Sequence, residues 1–241
     1  MNSSLRVLRL SLFIILALTA LSPTWYSAFV LEEAGLRPAD RWRFSDLSEP
    51  ISPPQRGIIG DEELCIHLTS GRVELKQCDH ISGDPFWRSP EGWQVQDVFF
   101  SDLNYDGERE LAMLVWRKFK PWPVDSFMPY GGRIDAFQDK EGYSCHLILI
   151  RLVDGEPREL WAGSALANPL HSMIAVDLDG DGRQELAAIE HEYNSKDTLG
   201  SIVVWEWNGF GFSLVDRLEG SFGTLLALNP SNSVILLTQK D

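Results

Sequence analysis

The sequence predicts an all-β domain of about four repeated units, preceded by one N-terminal hydrophobic helix. Short apolar segments recur with a period in the forties, and two acidic loops of one pattern each lead into such a segment. The composition is rich in residues that form strands and turns, with 11% aromatic residues, 19 Gly and 13 Pro. The chain has 241 residues, of which 44% are hydrophobic, and it is long enough to bury one sizeable core.

The net charge excludes one class of function. The chain carries 35 acidic and 21 basic residues, a formal net charge of −14. A protein that binds nucleic acid without regard to base sequence needs a basic surface for the phosphates. No nucleic-acid partner is therefore expected, and the acidic surface favours cations.

Residues 1–31 are predicted to be a signal anchor or a signal peptide. Arg6 and Arg9 precede an uncharged stretch over residues 10–31. A helix of that length spans about 33 Å, enough to cross a hydrocarbon core of about 30 Å, and its basic flank favours a cytoplasmic N-terminus. We expect a membrane-anchored protein with an extracytoplasmic domain or, if the segment is cleaved, a secreted one.

The rest of the chain divides into a stalk and a folded domain. Residues 32–57 are rich in Pro and poor in aliphatic residues, which predicts a stalk, and the folded domain is expected to span residues 58–241. Four apolar strands of this domain are expected to open at Leu64, Leu111, Leu186 and Val234, at spacings of 47, 75 and 48 residues. Removing residues 117–144, an insertion of 28 residues, restores a spacing of 47.

Two cysteines flank a predicted hairpin. If Gly71 and Arg72 are the central residues of a type II′ turn, Cys65 lies directly opposite Cys78, and a cross-strand disulfide is feasible in an oxidising compartment. Cys145 is left over and is expected to be buried. The alternative is a zinc site with the four donors Cys65, His67, Cys78 and His80, although these residues lack the usual loop geometry.

Two loops, at residues 102–110 and 177–185, share the pattern D-x-[DN]-x-D-G-x-x-E. Side-chain oxygens at positions 1, 3, 5 and 9, with the backbone carbonyl of position 7, match the needs of a hard cation, and Gly at position 6 permits the sharp turn. A metal-free polar turn is disfavoured, because like charges 4 Å apart repel by about 4 kcal/mol at an effective dielectric near 20. The predicted ligands are Asp102, Asn104, Asp106, Glu108 and Glu110 in the first loop, and Asp177, Asp179, Asp181, Arg183 and Glu185 in the second.

These loops are not EF-hands. An EF-hand has an acidic ligand at position 12, where this chain has Met113 and Ala188, and the segments beside the loops are predicted strands rather than helices. Residues 102–116 and 177–212 instead resemble the FG-GAP or VCBS repeat family. The resemblance implies Ca²⁺ at two sites and a β-propeller of the integrin-α type. Four repeat starts imply a short or incomplete propeller, which a homo- or hetero-oligomer would complete.

The insertion at residues 117–144 mixes aromatic and basic residues. A long loop of this kind is a common place for specificity, and an anionic glycan or a protein would suit it as a ligand. The equal alternative is a flap that packs over the edge of the sheet. The predicted binding residues are Arg117, Lys118, Lys120, Trp122, Phe127, Tyr130 and Arg133. By contrast, Trp205 and Trp207 alternate along one strand and are assigned to the core.

The chain has no motif for a nucleophile elbow, a zinc protease or a phosphate-binding loop. Glu190 and Glu192 flank His191, but strand alternation would place His191 on the opposite face from both. The sequence therefore predicts a non-enzymatic, calcium-binding module for adhesion, recognition or protein interaction. One alternative is an extracellular hydrolase or lyase that acts on polysaccharide from a calcium-stabilised propeller scaffold. The other is an assembly subunit of an envelope complex.

Overall fold

The computed structural model describes residues 25–43, 51–52, 54–59, 62–80, 82–118, 136–153, 156–195, 199–228 and 235–238. Within these ranges the protein is all-β, and its sixteen strands form four antiparallel sheets of four strands each. This confirms the all-β class. No helix in the described part of the chain has the length and apolar character needed to cross a bilayer.

The strands are numbered in chain order. They are β1 (Trp25–Glu32), β2 (Gly35–Arg43), β3 (Arg56–Ile59), β4 (Glu62–Thr69), β5 (Arg72–Gln77), β6 (Trp87–Arg88), β7 (Gln94–Ser101), β8 (Glu110–Lys118), β9 (Tyr143–Val153), β10 (Glu156–Ala162), β11 (Leu170–Val176), β12 (Glu185–Glu190), β13 (Gly200–Trp207), β14 (Phe212–Phe222), β15 (Leu226–Leu228) and β16 (Ile235–Thr238).

Three sheets are simple meanders, and the fourth joins distant parts of the chain. The meanders have the orders β3-β4-β5-β6, β7-β8-β9-β10 and β11-β12-β13-β14, whereas the fourth sheet has the order β15-β16-β1-β2. In that sheet β1 pairs with β16, with Ser27 opposite Thr238. The first strands of the sheets also approach each other, because β7 lies against β3 and β11, and β11 lies against β15.

The predicted repeat matches this arrangement. Leu64, Leu111 and Leu186 lie in β4, β8 and β12, each the second strand of its sheet. The fourth predicted start, Val234, lies outside the described residues, immediately before β16. The period in the forties thus corresponds to one four-stranded sheet.

Three buried clusters fill the spaces between consecutive sheets. Along β8, Leu111 and Met113 enter the cluster shared with β4 and β5, whereas Ala112 and Leu114 enter the cluster shared with β11, β12 and β13. Successive side chains of a strand point to opposite faces, so a strand between two cores is apolar at every position. The middle strands β8 and β12 are buried along almost their whole length for this reason.

The N-terminal prediction needs correction. The sequence predicts a hydrophobic helix that continues to Leu31, but Trp25–Glu32 forms β1, and residues 1–24 lie outside the described residues. Phe29 and Leu31 are buried in the cluster that also contains residues of β11, β12 and β13. A run of apolar residues alone does not distinguish a buried strand from a helix. Here the segment forms a strand that pairs with β16.

The predicted stalk also differs from the structure. Within residues 32–57, Gly35–Arg43 forms β2, which pairs with β1 along its length. Leu36 is buried, and its backbone N–H donates to Asp216 Oδ2 at 2.6 Å. The folded domain therefore begins before residue 58. Pro38 does not prevent strand formation here, because β2 lies at the edge of its sheet, where Pro is tolerated.

The predicted hairpin has a different register. Ser70 and Gly71 are its central residues, with φ angles of 51° and 77°, as a type I′ turn requires. Cys65 consequently pairs with Lys76 rather than with Cys78. A disulfide nevertheless joins Cys65 diagonally to Cys78, whose Cα atoms are 5.0 Å apart. Both sulfur atoms of the alternative zinc site are used in this bond.

Candidate metal centres

The first acidic loop joins β7 to β8 and brings three carboxylates together. One oxygen each from Asp102, Asp106 and Glu110 lies within 4.8 Å of the others. Asp102 folds the loop around itself, because its Oδ1 accepts from the N–H of Asp106 at 3.1 Å and its Oδ2 from the N–H of Gly107 at 3.0 Å. Asn104 Oδ1 also accepts from the N–H of Asp106, at 3.1 Å.

Glu110 is the most unusual residue of this loop. Its side chain is fully buried, and neither carboxylate oxygen accepts a hydrogen bond of good geometry within the described structure, although the backbone N–H groups of Leu103 and Glu110 lie near enough to oppose the rise in its pKa. Burial, followed by the charges of Asp106 and Asp102, raises its pKa to about 8. A buried carboxylate without a partner carries a desolvation cost that a bound cation would offset. The first loop therefore fits a hard cation by its donor chemistry and by the burial of Glu110.

The second loop joins β11 to β12 with the same design. Asp177, Asp179 and Glu185 each place one oxygen within 4.8 Å of the others. Asp177 Oδ2 accepts from the N–H of Gly182 at 3.0 Å, matching the bond from Gly107 to Asp102. Glu185 is buried and accepts from the N–H of Leu178 at 2.7 Å, while burial is the main cause that raises its pKa to about 7.

The backbone explains why both loops use Gly at position 6. Gly107 and Gly182 have φ angles of 85° and 90°, in the left-handed region that Gly adopts easily. A Cβ atom at either position would meet nothing within 4 Å. Gly is therefore required for its backbone conformation and not for space.

Four predicted ligands lie outside the two carboxylate clusters. Asn104 is beside the first cluster, and its Nδ2 donates to Asp106 Oδ2 at 2.9 Å. Asp181 is outside the second cluster, and its Oδ1 accepts from the N–H of Arg183 at 2.7 Å. Glu108 similarly donates its N–H to Asp106 Oδ1 at 2.9 Å.

The two loops touch each other through residues that the sequence pattern did not single out. Gln184 Oε1 accepts from the backbone N–H of Asp102 at 3.1 Å, and its backbone oxygen accepts from Tyr105 Oη at 3.2 Å. The Arg183 guanidinium lies 5.3 Å from the centroid of the Tyr105 ring. We call these contacts the inter-loop clamp. They link neighbouring sheets and depend on a separation of about eighty residues, so no local motif reveals them.

The predicted binding loop is only partly described. Arg117 and Lys118 belong to β8 and pair with Ser144 and Tyr143, so the inserted segment is shorter than predicted. The Arg117 guanidinium lies 5.8 Å from the Trp93 ring centroid, and Lys118 Nζ lies 4.2 Å from the Tyr143 ring centroid. The remaining predicted contacts lie outside the described residues: Lys120, Trp122, Phe127, Tyr130 and Arg133.

The tryptophans pack as the sequence predicted. Trp205 and Trp207 are half-buried against the cluster between the β7–β10 and β11–β14 sheets. Trp161 contacts the rings of Trp207 and Phe212 edge-on, with centroids 6.1 Å and 5.2 Å apart. These rings therefore stabilise the packing of two sheets.

One Ser–His pair lies inside the protein. Ser144 Oγ is 2.7 Å from His146 Nε2, and His146 Nδ1 is 3.0 Å from the carbonyl oxygen of Gly163. Burial is the main cause that lowers the pKa of His146 to about 4, so the ring is neutral near pH 7. Both side chains are buried, and the pair links β9 to the segment that follows β10.

A polar cavity of about 320 Å³ lies at the other end of the β11–β14 sheet from the second loop. Glu190, His191 and Glu192 all line it, contrary to the expectation that His191 faces away. Strand β12 ends at Glu190, so strict alternation does not extend to the next two residues. Arg217 forms an ion pair with the buried Glu190 at this cavity.

Comparisons with known proteins identify no relative. A scan against protein-family models finds no match to the sequence, and a search of curated proteins also finds none.

Proposed function

We propose that this protein is a calcium-binding, β-propeller-like repeat protein that acts outside the cytoplasm as a non-enzymatic recognition or protein-interaction module. The single observation that carries the proposal is the buried Glu110 carboxylate. It lies beside Asp102 and Asp106 and accepts no hydrogen bond of good geometry among the described residues. A hard divalent cation with all-oxygen coordination would satisfy this group, and Ca²⁺ tolerates the mixed carboxylate, amide and carbonyl donors of both loops.

The propeller assignment is supported by the order of the strands. Three sheets of four strands follow each other along the chain, and first strands approach one another at three junctions, β3 with β7, β7 with β11 and β11 with β15. The sheet that combines β1 and β2 with β15 and β16 would close such a ring with both ends of the chain. We infer a four-bladed propeller, in which each metal loop joins the first and second strands of one blade.

The recognition role rests on the resemblance of residues 102–116 and 177–212 to FG-GAP or VCBS repeats. It also rests on the insertion between β8 and β9, since segments added to a rigid scaffold often carry binding specificity. An N-terminal export segment would place such a module on the outer side of a membrane.

Thermal denaturation of the full chain tests calcium binding. We expect a higher melting temperature in millimolar calcium than in chelator, because a ligand at one hundred times its dissociation constant adds about 2.7 kcal/mol per site. Glu110→Gln should lose part of this gain, whereas Glu156→Gln, at an exposed position of β10, should keep it. An equal gain in both variants, or no gain in the natural chain, would argue against the assignment.

A panel of anionic glycans and peptides tests the non-enzymatic role. The calcium-loaded chain is immobilised, and both retention and chemical turnover of each compound are measured. We expect retention of at least one compound with no turnover. Turnover that depends on calcium would instead support the hydrolase or lyase alternative.

A further inference from the structure

We propose that Gln184 and Tyr105 are positioning residues that couple the two metal loops, so that filling the second loop tightens cation binding at the first. This inference rests on the proposed calcium-binding function. It concerns how the two sites act together.

The position of Gln184 provides the first step. It lies between Arg183 and Glu185, which are positions 7 and 9 of the second loop and so two of its predicted donors. A cation held by these neighbours would fix the backbone of Gln184 as well. Gln184 accepts both hydrogen bonds of the clamp. Its Oε1 accepts from the N–H of Asp102 at 3.1 Å, and its backbone oxygen accepts from Tyr105 Oη at 3.2 Å.

The first loop receives these contacts at its first and fourth positions. Asp102 is its position 1 ligand, and the direction of its backbone N–H is held by the Gln184 side chain. Tyr105 has a φ angle of 63°, in the left-handed region that non-Gly residues seldom adopt. The hydrogen bond from its hydroxyl group and the stacking of Arg183 on its ring help to hold this conformation.

The charges set the order of filling. The structure brings three carboxylates together in each loop, and the remaining predicted side-chain ligand is the carboxylate of Asp181 in the second loop but the neutral amide of Asn104 in the first. The first loop also has a competing cation, since Arg151 lies 3.5 Å from Asp106 Oδ2. Affinity for calcium rises with the charge of the ligand set, so the second loop fills first.

Coupling then follows from ordering. When a cation orders the second loop, Gln184 becomes fixed, and the first loop loses less conformational freedom on binding its own cation. By linkage, a cation in the first loop strengthens binding at the second by the same factor. We expect a factor of about five, the lower end of typical couplings between sites.

Calorimetric titration of the full chain with Ca²⁺ tests the proposal through a double-mutant cycle. The clamp is removed by Tyr105→Phe with Gln184→Ala, and the second loop is disabled by Asp179→Ala. The matched control is Tyr143→Phe with Gln94→Ala, at strand ends remote from the loops. We expect the clamp variant to raise the weaker of two dissociation constants about fivefold, and the control to leave both unchanged. In the Asp179→Ala background, the clamp substitutions should cause little further change.

Several results would overturn the coupling. Equal weakening of the first loop by the clamp substitutions in both backgrounds would indicate a purely local role for Tyr105 and Gln184. Two unchanged binding steps in the clamp variant would also exclude coupling while leaving calcium binding intact. Absence of calcium binding by the natural chain would reject the proposed function itself. If the double substitution unfolds the protein, Tyr105→Phe alone is used, because it keeps the ring beneath Arg183. This variant is expected to weaken calcium binding at the first loop only when the second loop is functional.

Discussion

The Arg151 guanidinium on β9 lies 3.5 Å from Asp106 Oδ2, so a basic side chain reaches the carboxylate cluster of the first loop. The second loop differs, because its nearest described ion pair joins Arg183 to Glu206 rather than to a predicted side-chain ligand. Arg151 therefore partly neutralises a group that a cation would bind.

Substituting Arg151 with Met should tighten calcium binding at the first loop. We expect a dissociation constant about two- to fivefold lower, because an exposed ion pair contributes up to about 1 kcal/mol. Calorimetric titration measures the change. Arg158→Met is the control, since Arg158 lies opposite Arg151 on β10 and removes the same charge. Equal effects would show that only net charge matters.

The buried carboxylate of Glu110 predicts a pH dependence in the calcium-free protein. Its pKa is raised to about 8 in the folded protein, mainly by burial, from an ordinary value of 4.5. The folded state therefore keeps a proton that the unfolded chain releases above pH 4.5. By linkage, the free energy of unfolding is highest below that pH and falls as the pH rises towards 8.

Thermal melts in chelator at pH 5, 6, 7 and 8 test this dependence. Glu110→Gln should flatten the fall, and Glu156→Gln should retain it. Part of the fall will remain in Glu110→Gln, because burial also raises the pKa of Glu185 to about 7. An unchanged fall in Glu110→Gln would contradict the assignment. Calcium affinity should rise over the same pH window, since the cation replaces the proton.

Reduction of the disulfide should destabilise the hairpin of β4 and β5. Cys65 and Cys78 are 13 residues apart, and closing a loop of about that length contributes about 3 kcal/mol in the chain-entropy model. Denaturant unfolding with and without reductant measures this difference. Cys145→Ala should show the same sensitivity to reductant as the natural chain, because Cys145 is a free, buried thiol. Cys65→Ser with Cys78→Ser should show none.

Phe29→Ala should destabilise the protein, because Phe29 packs the sheet of β1, β2, β15 and β16 against its neighbour. Phe29 is buried in β1, and its ring contacts that of Phe222 edge-on with centroids 5.9 Å apart. Loss of a buried Phe side chain costs about 3–5 kcal/mol of unfolding free energy. Phe210→Ala is the matched control, since Phe210 is 89% exposed and should have little effect. Similar losses in both variants would contradict the packing of β1 against β11–β14.

The acidic loops and their strands were predictable because their information is local. Each loop combines turn-forming Asp and Gly residues with an immediately following apolar strand, and the same pattern occurs twice. The placement of Leu64, Leu111 and Leu186 in equivalent strands follows from the same regular spacing. Such local patterns predict the structure well, because the loops and hairpins are held by hydrogen bonds between residues that are close in the sequence.

Features that depend on distant residues were not predictable in this way. Trp25–Glu32 belongs to a sheet because β16 pairs with it, and the residues around Trp25 do not indicate which distant segment will be its partner. The clamp between Gln184 and Tyr105 likewise joins separate sheets. The turn at Ser70 and Gly71 was missed by one residue, because both possible turns place Gly where a positive φ is allowed.

The pairing of Ser27 with Thr238 has a consequence for synthesis on the ribosome. Strands β1 and β2 emerge first, yet their sheet cannot be completed until β15 and β16 have been translated. Until then the nascent chain carries a two-stranded hairpin, which is marginally stable and has an open edge for pairing with another polypeptide. If two chains are translated close together, β15 and β16 of one can complete the sheet of the other, and the product is a domain-swapped dimer. Protection of the β1 edge until β16 is available would therefore limit such an exchange.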